Sequence, residues 1–279
     1  MVNLFQIKKV FNNNVVLVSD SKSLERILIG RGIAFKKYAG QYVNLDKIEK
    51  TFIVESSEIT DRFVQLVNEV PINHLELVTR IVTDAEKELG YKFDQVTYIG
   101  LADHINYALS RYKKGYKIQN ALLHEIKRLY PMQFQAALKA IRTIAYYEAV
   151  ELLEDEAGFI ALHFVNGEQN GNIDDTMKTT ETLQKIILLL EDNLMLELNE
   201  NSLNYQRFVT HLRFFMQRVS NGTTREDGFP EMYDLILQSY PKATKCVDII
   251  IAYLQETLHC QIYPEEKMYL ILHVQRLLK

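Results

Sequence analysis

Asp155-Glu156-Ala157-Gly158-Phe159-Ile160-Ala161-Leu162-His163 has a second copy in the same chain, Glu265-Glu266-Lys267-Met268-Tyr269-Leu270-Ile271-Leu272-His273. Each copy opens on two acids, adds an aromatic residue, continues aliphatic and ends on histidine. A second pair lies upstream. Tyr98, His104, Arg111 and Gly115 recur with the same internal spacing as Tyr205, His211, Arg218 and Gly222. The upstream element repeats at an offset of 107 residues and the downstream one at 110. Two elements at nearly one offset define a duplicated domain of about that length, an ordinary domain size. Four of the seven histidines fall at repeat-equivalent places: His104, His163, His211 and His273.

Working outward, the chain from Asp61 to Asn166 spaces its apolar residues at helical intervals, as in Leu75, Leu77, Val78, Ile81 and Val82. The pattern predicts a helix opening at Asp61 and further helices over 75–89, 94–113, 117–128, 131–149 and 155–166. In the second copy it predicts 176–198, 203–219, 230–238, 241–257 and 264–278. The polar runs 55–60 and 166–175 read as linkers, and 220–229 as a loop.

Residues 1–57 read differently. Residues 4–11 partly alternate apolar and polar as a strand does, and Asn12-Asn13-Asn14 forms a hairpin turn into Val15–Val18. Leu24–Ile29 is a third strand, Gly30-Arg31-Gly32 a turn, and Ile33–Lys37 a fourth strand. The fold class is therefore multidomain: a small antiparallel β-sheet domain (1–57) followed by two homologous all-α five-helix domains (58–169 and 170–279). A sheet this short buries little surface and usually needs dimerisation or other support.

Charge separates the parts as well. Residues 1–40 carry seven basic side chains against two acidic ones, +5, which leaves −9 for the remainder of a chain with net charge −4. A basic module on an acidic body points to a polyanion as the module's partner. The two cysteines, Cys246 and Cys260, do not make a disulfide framework and fit a reducing compartment. No signal-peptide profile opens the chain and no apolar run reaches a membrane span, so a cytoplasmic protein without membrane insertion is expected. No histidine pair has metal-ligand spacing, and no phosphate loop or nucleophile elbow is present. The expectation is a non-enzyme with no catalytic residues, metal or cofactor.

Ile29-Gly30-Arg31-Gly32-Ile33-Ala34-Phe35, preceded by Lys9-Val10-Phe11-Asn12-Asn13-Asn14 and followed by a duplicated two-histidine domain, resembles the BglG/SacY/LicT family of transcriptional antiterminators, its LicT type most of all. The resemblance covers essentially the whole chain. It implies an RNA-binding co-antiterminator module followed by two PTS regulation domains, each with two phosphorylatable histidines. Sequence-specific RNA binding needs donors for base edges, rings for stacking and cations for phosphate. Asn14 offers the amide, Phe35 the ring, Arg31 the guanidinium and Lys9 a cation. Gly30 and Gly32 would permit close backbone approach. Asn12–Asn14 is a turn in any case, and Phe35 could equally be core.

The resemblance further implies a homodimer that grips a leader RNA hairpin, the ribonucleic antiterminator, and so excludes the terminator fold. The phosphocarrier HPr would modify the second repeat and activate. A sugar-specific PTS permease (enzyme II) would signal to the first and inhibit. Histidine suits this chemistry, because a neutral ring nitrogen is a nucleophile near pH 7. The same four positions could also be core-edge histidines, since duplication copies packing residues as faithfully as functional ones. Arg111 and Arg218, on the faces of His104 and His211, are either receivers of phosphoryl charge or members of salt bridges. A PTS-regulated DNA-binding activator is the alternative function, although residues 1–57 show no helix-turn-helix.

Overall fold

In a computed structural model, the structure describes residues 5–19, 24–53, 63, 65–66, 69–169, 173–200, 202–220 and 230–278. The first element is a four-stranded antiparallel meander: β1 (Gln6–Asn12), β2 (Val15–Ser19), β3 (Glu25–Ile29) and β4 (Lys50–Ile53), in that order across the sheet. The first turn forms where the asparagines are. Asn12 Oδ1 accepts from the Asn14 N–H at 2.8 Å, an Asx turn that fixes the reversal. Ile7, Val16, Val18, Leu28, Ile33, Ala34 and Val43 make the core.

The fourth strand is not Ile33–Lys37. That stretch is a series of turns, with Gly32 (φ +62°) and Lys36 (φ +55°) in the left-handed region. Its backbone hydrogen bonds close on the chain itself: the N–H groups of Ile33, Phe35 and Lys37 donate to the carbonyls of Gly30, Gly32 and Ala34 at 3.1, 3.2 and 2.9 Å. β4 pairs with β3 instead, Ile27 opposite Phe52. Gly30 makes this closure possible, since a Cβ there would lie 1.7 Å from the Lys47 carbonyl oxygen.

The rest is helical. Where described, Phe63, Gln65, Leu66 and Glu69 are helical; residues 55–60 and the start of that helix lie outside the described residues. Then follow α1 (Ile72–Leu89), α2 (Gln95–Lys113), α3 (Leu123–Leu129), α4 (Pro131–Glu148) and α5 (Glu154–Gln169). The second repeat gives α6 (Ile173–Leu194), α7 (Leu203–Ser220), α8 (Pro230–Ser239), α9 (Pro241–Leu258) and α10 (Pro264–Leu277). The ends have local causes. Gly90 closes α1 at φ +80°, and Asp94 caps α2 by accepting from the Thr97 N–H at 2.8 Å.

Two expectations shift. The helix predicted over 117–128 starts only at Leu123, because Asn120 Oδ1 takes the Leu122 N–H and Asp155 takes the Asn120 N–H. The polar run 166–175 is mostly helix: α5 continues to Gln169 and α6 begins at Ile173, and 170–172 lie outside the described residues. Asn166 is buried, and Gly167 leaves the room that Phe93 fills. Of the loop expected over 220–229, Ser220 ends α7 and the remainder lies outside the described residues.

The chain divides into two compact units, 1–123 with 130–173, and 124–129 with 174–279. In the first, Phe52 of β4 packs against Phe63 and Tyr98, with ring centroids 5.0 and 4.9 Å away. The Tyr98 hydroxyl donates to the Leu75 carbonyl at 3.0 Å. In the second, the equivalent Tyr205 lies under Arg128, whose guanidinium is 4.9 Å from the ring centre.

Gly30→Ala is expected to cost about 1–3 kcal/mol through overpacking against backbone. The measurement is a denaturant titration of the full chain, followed on the β-sheet signal.

Candidate functional site

Helices α2 and α5 pack together in the first repeat, as α7 and α10 do in the second. The duplicated elements lie on these helices, so residues equivalent in sequence become equivalent in space. In the first repeat the rings of His104 and His163 are 5.4 Å apart, with Phe159 5.8 Å from His104. Glu156 Oε2 lies 3.1 Å from His104 Nε2, and its Oε1 accepts from Arg111 Nη2 at 2.6 Å. In the second, His211 and His273 are 4.0 Å apart. Glu266 accepts from Arg218 Nε at 2.8 Å and Nη2 at 2.7 Å. The Tyr269 hydroxyl pairs with His211 Nδ1, and its ring lies 4.6 Å from His273.

Both arginines are thus salt-bridged, to the second acid of the downstream element. Those acids are the functional-site residues that sequence reasoning left unassigned. Their signal was present, since each copy opens on two acids, but only the fold shows which one turns inward. Glu156 and Glu266 are 5% and 3% exposed, so each needs its arginine: an unpaired buried carboxylate is costly.

Electrostatics disfavour the charged form of His163, His211 and His273. Burial, then the neighbouring His104, pushes His163 down to about 3. Burial, then His211 and Arg276, lowers His273 to about 4. His211 is lowered too, by burial and then by Arg276, Arg218 and Arg207. Burial works to raise the Glu156 carboxyl, but hydrogen bonds from His104 and Arg111 outweigh it and hold the group below the usual carboxylate range. A neutral imidazole keeps one nitrogen lone pair for attack on an electrophile. His163 and His273 are buried, whereas His104 and His211 are only partly covered, so the latter two are the reachable members.

On the sheet module, Phe35 is 58% exposed, with Lys36 Nζ 5.5 Å from its ring centre. It is a free surface ring and not core. Asn14 Oδ1 accepts from the Gly32 N–H at 2.7 Å, which ties the amide oxygen to the turn. Lys9 is exposed, with Nζ 5.4 Å from the centre of the Phe11 ring. Gly30 is buried against the Lys47 carbonyl, so its missing side chain serves closure of the module. Arg31 is engaged elsewhere: its guanidinium donates to Glu76 of α1 at 3.1 and 3.2 Å, and its N–H donates to Glu49 at 3.1 Å. Tyr38 and Tyr42 of the same module are exposed as well; as loop residues they gave no periodic signal.

The CAT RNA-binding domain family matches residues 5–61, and the PRD domain family matches 79–167 and again 184–277. The chain belongs to the family of transcription antiterminators that join one CAT domain to two PRD domains. It is 38% identical to the transcription antiterminator LicT of Bacillus subtilis (strain 168), over 98% of this chain and 99% of that one. The β-glucoside operon antiterminator of Dickeya chrysanthemi is 36% identical, over 97% of this chain and 96% of its own. The crystal structure of GlcT CAT-PRDI superposes with a TM-score of 0.54 at 31% identity, covering 59% of this chain and 98% of that one. Among the described residues no helix is long and apolar enough to cross a membrane, and no cluster of metal-ligating side chains occurs.

The depressed histidines predict acid sensitivity. The folded ring of His163 binds fewer protons than the unfolded one, so its stabilising contribution is complete above about 6.5 and is lost as pH falls toward about 3. Glu156 adds loss in the lower part of that range. Denaturant midpoints should drop across this window, and His163→Gln should flatten the upper part of the slope.

Proposed function

We propose that this chain is a cytoplasmic, homodimeric antiterminator, with an RNA-binding domain at 1–57 and PTS regulation domains at 58–169 and 170–279. Its CAT module holds a leader RNA hairpin, the ribonucleic antiterminator, and so prevents the terminator from forming. Its four histidines, His104, His163, His211 and His273, receive phosphoryl groups from the sugar phosphotransferase system. The phosphocarrier HPr acts on the second repeat and activates; the sugar-specific permease (enzyme II) acts on the first and inhibits. The observation that carries the reading is the pair of equivalent histidine clusters, each with one reachable ring, on a chain whose N-terminal sheet module exposes Phe35 beside Lys36. The match of residues 5–61 to an RNA-binding family favours RNA over duplex DNA as the ligand.

On the RNA side, Phe35 stacks on a base, Asn14 donates to a base edge, and Lys9 faces phosphate. Arg31 has to leave Glu76, or share it, to reach RNA. That pair is exposed at its arginine end, so breaking it costs at most about 1 kcal/mol. On the regulatory side, a phosphoryl group brings strong negative charge to a site that already holds a buried carboxylate, and like charges there must separate or find new donors.

Phe35→Ala should weaken binding of a leader hairpin by about 1–3 kcal/mol. A gel shift reads this as roughly a five- to 150-fold rise in Kd. Duplex DNA of the same sequence should not shift with either protein, and tight duplex binding would install the DNA-activator alternative. Incubation with phosphoenolpyruvate, enzyme I and HPr should label His211 and His273 and tighten RNA binding. Tightening that persists in the His211→Ala, His273→Ala double variant would refute the activating role of the second repeat.

A further inference from the structure

The two histidine clusters are built from equivalent residues, yet the partly covered histidine of each engages its neighbours through a different ring nitrogen. In the first repeat, His104 Nε2 lies 3.1 Å from Glu156 Oε2; both atoms are shut off from solvent, and neither makes a well-aligned hydrogen bond. Arg111 occupies the other oxygen of Glu156. A buried carboxylate oxygen favours a proton and disfavours a lone pair on the nitrogen that faces it, which assigns the N–H of His104 to Nε2 and the lone pair to Nδ1. A phosphoryl group could not enter at Nε2 without meeting the buried negative oxygen.

The second repeat reverses this. Arg218 holds both oxygens of Glu266. The Tyr269 hydroxyl pairs with His211 Nδ1 instead. Nδ1 is thereby covered, and Nε2 is the nitrogen with no partner among the described residues. The position equivalent to Tyr269 holds Phe159, which lies beside His104 but has no hydroxyl.

We propose that the two sites take a phosphoryl group on opposite nitrogens, His104 on Nδ1 and His211 on Nε2, with Tyr269 the positioning residue that sets the choice in the second repeat. The inference rests on the reading of these histidines as phosphorylated. In each case the lone pair of the free nitrogen attacks phosphorus. The bond from phosphorus to the donor nitrogen breaks, and that nitrogen keeps the electron pair and takes up a proton. The modified His104 ring retains Nε2–H against the Glu156 carboxylate, a charged pair. The modified His211 ring retains its Nδ1 proton against the neutral Tyr269 oxygen. The two sites therefore ask different approach directions of a donor, which suits them to two different donor proteins.

The test uses full-length chain labelled with ¹⁵N-histidine and treated with potassium phosphoramidate, a small donor that needs no protein partner. Long-range ¹H–¹⁵N correlation spectra, assigned with His104→Gln and His211→Gln, report which nitrogen bears phosphorus. Nδ1 modification at His104 with Nε2 modification at His211 is the expected result; one isomer at both sites overturns the proposal. In the untreated chain neutral His104 should carry its proton on Nε2, and a proton on Nδ1 also overturns it. Tyr269→Phe should give both isomers at His211 and leave His104 unchanged, whereas undiminished Nε2 selectivity removes Tyr269 from the role. Opposite isomers with phosphoramidate, together with no labelling by phosphoenolpyruvate, enzyme I and HPr, would refute the phosphotransferase reading and leave this inference standing.

Discussion

A buried carboxylate bound to an arginine organises each helical repeat. Glu156 and Glu266 enter from the first turns of α5 and α10, and Arg111 and Arg218 come from the last turns of α2 and α7. Desolvating a carboxylate is tolerable only with its partner in place, so the pair fixes the register of two helices. That register sets the facing histidines against each other, 5.4 Å apart in one repeat and 4.0 Å in the other. Burial beside a second ring then disfavours the charged form of His163 and His273. The placing of the histidines thus follows from the ion pair.

Much of this was legible in the sequence. The helices announced themselves because their apolar residues recur with helical period, and most boundaries agree to within a few residues. The histidine pairs were legible because a duplication places the same residue types twice. Other features were hidden for physical reasons. Ile33–Lys37 is apolar and short, and nothing local shows that Gly32 and Lys36 turn left-handed and send the chain away from the sheet. Asn166 and Gly167 look like linker residues because polarity is read as exposure; here the asparagine is buried and the glycine makes space for Phe93. The Arg31–Glu76 pair joins residues 45 apart, a distance over which no periodicity speaks.

Duplication has kept the frame and changed the fittings. Tyrosine, histidine, arginine, acid and histidine recur in order, while the aromatic residue beside the first histidine differs, Phe159 in one copy and Tyr269 in the other. A single oxygen atom separates these side chains. With it goes a difference in the carboxylate: Arg111 takes one oxygen of Glu156, whereas Arg218 takes both oxygens of Glu266.

Tyr98 and Tyr205 carry this divergence to the sheet. Tyr98 stands six residues before His104 on α2 and is pressed against Phe52, the buried residue of the edge strand β4. Close-packed rings pass on displacement and do not absorb it. A small axial slide or roll of α2, prompted by a change at His104, therefore arrives at β4 as a push on the module's rim. Tyr205 spends the same surface on Arg128 of its own unit. The first repeat thus has a short mechanical linkage to the sheet, like a rod seated in a socket. The tyrosine of the second repeat is seated on a cation instead of on a strand.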